Sequence, residues 1–214
     1  MEEGVPGRFA REAARSRLGA LPRAGRPHRR RPALPAGDRG EGQGARGATV
    51  LYANCSIEHR PYDQAEIDPA LDPWRYFADR FAEVTEDGHS EIREAIEIIA
   101  GDEGPVVFHC TSGKDRTGLI ASFVLTLLGV SAEQVGEDFA LTELATERLT
   151  ADWRAAHPGR ELKWPGYGRA PAAVMELVFA DLTARYGSVR GYLGQRVGIT
   201  DAVTARLRDR LLAA

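Results

Sequence analysis

Cysteine is scarce in this chain, which has only Cys55 and Cys110 among its 214 residues. Two cysteines cannot form a disulfide framework, and such a low content is typical of a reducing compartment. We therefore expect a cytoplasmic protein, with export without a signal peptide kept as an alternative. Histidine is also rare, and its positions lack the spacing of metal ligands, so we expect neither a metal nor another cofactor. The histidines are His28, His59, His89, His109 and His157.

Long apolar runs are also missing, as are the marks of a secretory leader. No uninterrupted apolar stretch approaches the roughly 18 residues that a membrane span requires. The arginine-rich start lacks an apolar centre, so it does not resemble a signal peptide. Residues 1–48 carry a net charge of about +6, which leaves about −9 for the rest of the chain. An acidic body binds nucleic acid poorly, so we expect no nucleic-acid partner.

Residues 1–48 also lack the residue types that build a core. They consist largely of arginine, glycine, alanine and proline, with few aromatic or β-branched residues. This composition predicts a disordered or otherwise atypical segment, followed by a single domain over 49–214. Two origins fit the segment equally well. It is either a genuine disordered extension or the product of a shifted reading frame or a wrong start.

The pattern of the remaining sequence predicts an α/β domain. The apolar run Val106–Phe108 is typical of a short buried strand, and 119–128 is apolar nearly all round, as in a buried helix. A second strand at Thr49–Ala53 would pair with the first in parallel, since the segment between them is long enough for a crossover. Helical spacing also predicts helices over Pro73–Glu86 and Ser90–Ala100, with Ser90 as the candidate N-cap of the second.

The chain after residue 128 is dominated by helical spacing, so we expect a helical C-terminal half. A capping box that begins at Ser131 should start a helix that runs to about Leu149, and Thr200 should cap the last helix.

The turn between the predicted strand and the buried helix carries the chemistry. Converging backbone N–H groups at a helix N-terminus bind anions. Cys110 begins this turn and Arg116 ends it. Such surroundings lower the pKa of a thiol, and a guanidinium grips two oxygens of a phosphate. A thiolate beneath a bound phosphate is a nucleophile directed at phosphorus.

The ten residues from His109 to Gly118, His-Cys-Thr-Ser-Gly-Lys-Asp-Arg-Thr-Gly, resemble the signature loop of cysteine-dependent phosphatases. They are similar to those of a bacterial tyrosine/serine protein phosphatase family that includes lipid-phosphatase-like enzymes. Residues 186–193 also resemble that family, and the resemblance extends from about Thr49 to the end. It implies a small, parallel-containing central sheet flanked by helices. It further implies N-terminal strands and an Asn-x-Arg-Asp-like motif, which 1–48 lacks.

The loop residues are expected to have individual roles. Cys110 is the expected nucleophile, and Arg116 is expected to bind the phosphate and stabilise its transition state. Gly113 is expected to adopt a positive φ. Thr117 is expected either to donate its hydroxyl to the sulfur or to cap the helix, and His109 to order the loop through the backbone. The expected phosphate-binding set is Thr111, Ser112, Gly113, Lys114, Asp115 and Arg116.

The general acid is less clear from the residues themselves. A leaving oxygen needs a proton, which a carboxylic acid usually supplies. Better-known tyrosine phosphatases carry this acid as the aspartate of a separate Trp-Pro-Asp loop. In this chain Trp164-Pro165 is followed by Gly166, which has no acidic side chain, and the resemblance points instead to Asp115. Other aspartates stay open as alternatives, namely Asp72, Asp63 and Asp68, and the alternative role of Asp115 is an ion pair that braces the loop.

The expected substrates are phosphorylated proteins, with phosphotyrosine first and phosphoserine or phosphothreonine second. Lys114, one of only two lysines, adds a cation beside the loop, which makes phosphoinositides an alternative substrate. A phosphate-binding but inactive domain is a second alternative, because the expected N-terminal strands are missing. A rhodanese or an arsenate reductase shares the cysteine–arginine spacing but explains the intervening residues poorly. Cys55 is a weaker candidate for a protective disulfide with Cys110.

Overall fold

The computed structural model describes residues 52–57, 60, 63, 66–101 and 104–212. Every regular element within these residues is helical, and none of these helices is long and apolar enough to cross a bilayer. The predicted segment 1–48 lies outside the described residues. The α-helices are α1 (Pro73–Asp87), α2 (His89–Ile99), α3 (Asp115–Leu128), α4 (Ala132–Ala140), α5 (Thr146–Ala156), α6 (Ala172–Tyr186), α7 (Val189–Tyr192) and α8 (Asp201–Leu212), and a π-helical segment, Leu193–Val197, follows α7.

Helix α1 begins where its sequence predicts. The Asp72 side chain accepts hydrogen bonds from the N–H groups of Trp74 and Arg75, and Pro73 occupies the first turn, where its missing N–H costs nothing. Phe77 and Phe81 then lie on one face at helical spacing and are buried in the core. This face of α1 supports the loop that precedes α3, because the Phe77 ring lies beneath the Lys114 ammonium.

Helix α3 is the centre of the domain. It is buried on nearly every side, as its continuous apolar sequence predicts, and it packs against α2, α4, α7 and α8. Gly118 in its first turn permits close approach of α4, because a Cβ there would lie 2.7 Å from a ring carbon of Phe139. Gly129, with a φ of +96°, ends the helix in the left-handed conformation. The loop that precedes α3 is therefore mounted on the best-packed element.

The predicted strand Val106–Phe108 has no regular secondary structure in the described residues. Val106 and Phe108 pack against the core, whereas Val107 is 52% exposed. The run is thus only partly buried, and neither the predicted strand nor the predicted sheet is confirmed in the described residues. Its predicted partner, Thr49–Ala53, falls mostly outside the described residues, so the parallel pairing stays a prediction.

Two details of the helical prediction also differ. Ser90 does not cap α2; Gly88 holds that position, and the Ser90 hydroxyl donates instead to Glu91. Ser131 does cap α4 as predicted, but α4 ends at Ala140 rather than continuing to about residue 149. A 3₁₀ segment, Leu141–Ala145, follows and separates α4 from α5. This short segment carries Glu143, which contacts the neighbourhood of the candidate site.

Candidate functional site

Residues 110–114 form a tight turn that leads into the N-terminus of α3. Gly113 has a φ of +65°, which confirms the predicted positive φ. A Cβ at this position would meet nothing within 4 Å, so glycine is required for its backbone conformation and not for space. The turn aims the N–H groups of Gly113 and Thr117 at the Cys110 sulfur.

These surroundings lower the pKa of the Cys110 thiol below its ordinary value. Burial by itself raises the pKa, but the Thr117 hydroxyl, the N–H groups of Thr117 and Gly113, and the charge of Arg116 together outweigh it. The hydroxyl oxygen of Thr117 is buried and has no other hydrogen-bond partner among the described residues. Its O–H is therefore free to serve the sulfur once the thiolate forms.

Arg116 lies near enough to the thiol for its charge to lower the pKa of Cys110, and both terminal nitrogens of its guanidinium are hydrogen-bonded. One terminal nitrogen donates to the carbonyl oxygen of Ile57 and the other to the Thr111 hydroxyl, each at 3.3 Å. Two weak, well-placed acceptors fix the plane of the group without neutralising its charge. Arg116 thus stays available to an anion above Cys110.

Lys114 points away from the open side of the turn. Its side chain is only 7% exposed, and Nζ donates to Oδ1 of Asp115 at 2.5 Å and to the carbonyl oxygen of Arg169 at 3.0 Å. Nζ also lies 4.4 Å from the centre of the Phe77 ring. The ammonium predicted to face a second phosphate is engaged with protein groups in this structure.

Asp115 is the first residue of α3, and its side chain is 42% exposed beside the turn. It is the one aspartate of the four candidates that lies within the loop. A carboxylate here also suits the positive end of the helix dipole. Tyr167 approaches it from the segment before α6; its phenol has a raised pKa because it is partly buried and feels the charges of Asp152 and Asp115.

The alternative acids each have a structural partner. Asp72 caps α1, and Asp68 accepts from the N–H of Ala70 at 2.9 Å. Asp63 pairs with Arg160 at 2.8 Å. No cluster of three or more histidine, cysteine or acidic residues in the described part of the chain could hold a metal ion.

His109 and the remaining loop residues lie at the surface. Nδ1 of His109 is 3.1 Å from the carbonyl oxygen of Cys110, a contact of the kind that a loop-ordering role requires. Thr111 and Ser112 are exposed on the open side of the turn, where their N–H groups can meet an incoming anion.

Cys55 is chemically unlike Cys110. Both thiols are free, but burial, followed by the charges of Glu94 and Glu91, raises the pKa of Cys55 to about 11. A thiol held in its protonated form attacks a disulfide or an oxidised sulfur slowly. The structure therefore does not support the suggested disulfide between Cys55 and Cys110.

Three contributors to the site carry no signal in the sequence. Ile57 and Arg169 act through backbone carbonyls, which every residue possesses, so their side chains give no clue. Phe77 shows only the helical spacing of a core residue, yet its ring face lies under the Lys114 ammonium. Only the assembled fold identifies these contacts.

Known proteins resemble this chain. The model of the tyrosine phosphatase family matches residues 23–213. A tyrosine-protein phosphatase of Nostoc commune is 35% identical over 135 residues, which cover 58% of this chain and 46% of that protein. A protein of Cupriavidus necator, provisionally named a tyrosine-protein phosphatase, is 30% identical over 118 residues, which cover 50% of this chain and 40% of the relative.

The chain therefore spans less than half the length of the curated relatives that it matches. The family match, in contrast, extends over most of the chain and includes the whole turn from Cys110 to Arg116 with α3 behind it. On this match, the chain belongs to the tyrosine phosphatase family.

Proposed function

We propose that this chain hydrolyses phosphomonoesters, with phosphotyrosine in proteins as the principal substrate. The observation that carries the proposal is the Cys110 thiol, whose pKa is lowered although burial alone raises it. A structural cysteine in an apolar setting has the opposite tendency, as Cys55 does. Membership of the tyrosine phosphatase family, and the names of both relatives, support the same activity.

The proposed reaction has two steps. The Cys110 thiolate attacks phosphorus while the bond to the leaving oxygen breaks, and protonated Asp115 supplies that oxygen with a proton. Arg116 and the N–H groups of the turn stabilise the charge on the three equatorial oxygens. Water then attacks the cysteinyl-phosphate and gives its proton to the Asp115 carboxylate. The sulfur–phosphorus bond breaks, and the Thr117 hydroxyl stabilises the departing thiolate.

The finer features of the proposal extend the family assignment. Phosphoserine and phosphothreonine are proposed secondary substrates. The proposed central sheet would include Val106–Phe108, whose alternating burial fits a strand with one face on the core. On cysteine content alone we propose a cytoplasmic location. No contact of the described residues favours phosphoinositides, because the ammonium of Lys114 is occupied.

The first experiment measures p-nitrophenyl phosphate turnover by the full chain and by its Cys110→Ser variant. We expect turnover by the wild type and a loss of at least about 10³-fold in the variant, since a hydroxyl is a far weaker nucleophile in this setting. Rapid acid quenching followed by mass mapping should find phosphate on Cys110. Vanadate binding without Cys110-dependent turnover would instead identify an inactive, phosphate-binding domain and would refute the proposal.

A further inference from the structure

Lys114 is the one buried cation of residues 109–118, the phosphate loop. Its surroundings explain why a positive charge can be buried there. A lysine side chain loses hydration on burial and is stable only when its ammonium finds charged or polar partners. Here the ammonium has three: the Asp115 carboxylate, the Arg169 carbonyl oxygen and the face of the Phe77 ring. These partners come from the loop, from the segment before α6 and from α1.

The segment that supplies the Arg169 carbonyl is itself firmly anchored. Trp164 is buried edge-on to the Tyr76 and Phe77 rings, at centroid distances of 5.2 and 5.0 Å. The Thr146 hydroxyl donates to the carbonyl of Gly168 at 3.0 Å. These contacts, which lie before and after Tyr167, hold residues 164–170 in place beside the loop.

The side chain of Arg169 adds a further tie. Its Nε donates to Oε1 of Glu143 at 2.5 Å, and the pKa of Glu143 is lowered mainly by this bond, with a smaller contribution from the charge of Lys114. Two ion pairs, Glu143–Arg169 and Lys114–Asp115, are therefore linked by the hydrogen bond from Lys114 to the Arg169 carbonyl oxygen. A shift of Lys114 would disturb both its neighbours.

We propose that Lys114 is a positioning residue that holds the Asp115 carboxylate in place and links the phosphate loop to residues 164–170. It acts through Asp115 and does not contact the substrate. This inference rests on the proposed function, because the role of Asp115 as acid and base belongs to that reaction. Asp115 is bonded through Oδ1 to the buried ammonium, and its side chain remains partly exposed toward the turn.

The test compares leaving groups that differ in their need for a proton. Phenyl phosphate has a poor leaving group and depends on the general acid, whereas p-nitrophenyl phosphate depends on it much less. Lys114→Met should lower kcat for phenyl phosphate about 10- to 100-fold more than for p-nitrophenyl phosphate, because a displaced acid is a poor proton donor. In an Asp115→Asn background, the same change should cause no further selective loss, since its target is already gone.

Matched variants keep the result interpretable. Lys163→Met removes the only other lysine, which is exposed, and should leave the ratio of the two rates unchanged. Lys114→Arg keeps the positive charge but brings a larger, planar group into the same buried slot, and it should show the same selective loss. It also serves as the test variant if thermal unfolding shows that Lys114→Met does not fold.

Two outcomes would overturn the inference. Equal losses for both leaving groups would mean that Lys114 only supports the fold. A rise in KM confined to inositol phosphates that carry an additional phosphate would mean that the ammonium leaves its slot and binds substrate. Failure of the proposed function is distinguishable from both, because the wild type itself would then show no turnover that depends on Cys110.

Discussion

Replacing Thr117 by valine should make the Cys110 thiol harder to ionise. Valine has nearly the same shape as threonine but has no hydroxyl, so the packing of the first turn of α3 changes little. The Thr117 hydroxyl is among the groups that favour the Cys110 thiolate, and its oxygen has no completed hydrogen bond elsewhere in the described structure. Its removal should therefore act on the sulfur and on little else.

The size of the effect can be worked out from the strength of one hydrogen bond to a charged group. Such a bond is worth about 1.5–3 kcal/mol, and one pKa unit corresponds to about 1.4 kcal/mol. The valine variant should thus raise the pKa of Cys110 by roughly one to two units. The N–H groups of Gly113 and Thr117 and the charge of Arg116 remain, so part of the lowering persists.

The sign of the shift determines the pH range in which the two proteins differ. At pH values below both pKa values, the variant should hold about ten- to a hundredfold less thiolate than the wild type, and should be alkylated more slowly by that factor. At pH values above both, the two proteins should react at nearly the same rate. The midpoint of the pH profile therefore moves upward in the variant.

The assay is the rate of iodoacetamide alkylation at Cys110, followed by mass mapping across the pH range. Thr117→Ser is the matched control, because it keeps the hydroxyl and should keep the wild-type midpoint. If the valine variant shows an unchanged midpoint while it remains folded, the hydroxyl does not stabilise the thiolate, and its proposed role in the second step also fails.

Three further substitutions and one labelling experiment test the structure around the loop. Gly118→Ala forces a Cβ against the Phe139 ring and should lower the free energy of unfolding in urea by about 1–3 kcal/mol; a loss below about 0.5 kcal/mol would contradict this packing. Gly113→Ala has open space but the wrong φ, and should cost roughly 1–2 kcal/mol by thermal unfolding and weaken vanadate binding. Asp72→Ala removes the cap of α1 and should cost about 0.5–2 kcal/mol, while the ratio of phenyl to p-nitrophenyl phosphate turnover stays constant. Cys55 should remain unalkylated at pH 8 under conditions that label the nucleophile completely; equal labelling would show that its pKa is not raised.

The local sequence was sufficient to predict most of the helices and the existence of the loop. Residues 119–128 are apolar nearly all round, and only a helix buried on all sides satisfies that pattern, which α3 confirms. Pro73, Ser131 and Thr200 predict helix starts because the signals at a helix N-terminus involve neighbours three residues apart at most. The positive φ of Gly113 was likewise predictable, because a tight turn imposes it locally.

The helix boundaries that were predicted wrongly depend on contacts between segments that are distant in the sequence. The capping box at Ser131 correctly starts α4, but nothing in the spacing shows that the chain changes to a 3₁₀ segment after Ala140. There Glu143 pairs with Arg169, a residue 26 positions away, and the pattern of either segment alone does not contain this pairing. The exposure of Val107 is similar, since its apolar side chain gives no sign of which face remains uncovered.

The candidate catalytic pair, Cys110 and Arg116, could be identified from the sequence because only five residues and a helix N-terminus are needed to bring them together. The orientation of Lys114 is not, although it lies between them. Its ammonium turns inward because Phe77 from α1 and the carbonyl of Arg169 meet beneath the loop, 37 and 55 positions away along the chain. Local spacing selects which groups are present at the turn, and long-range packing selects the direction in which a flexible side chain finds its partners.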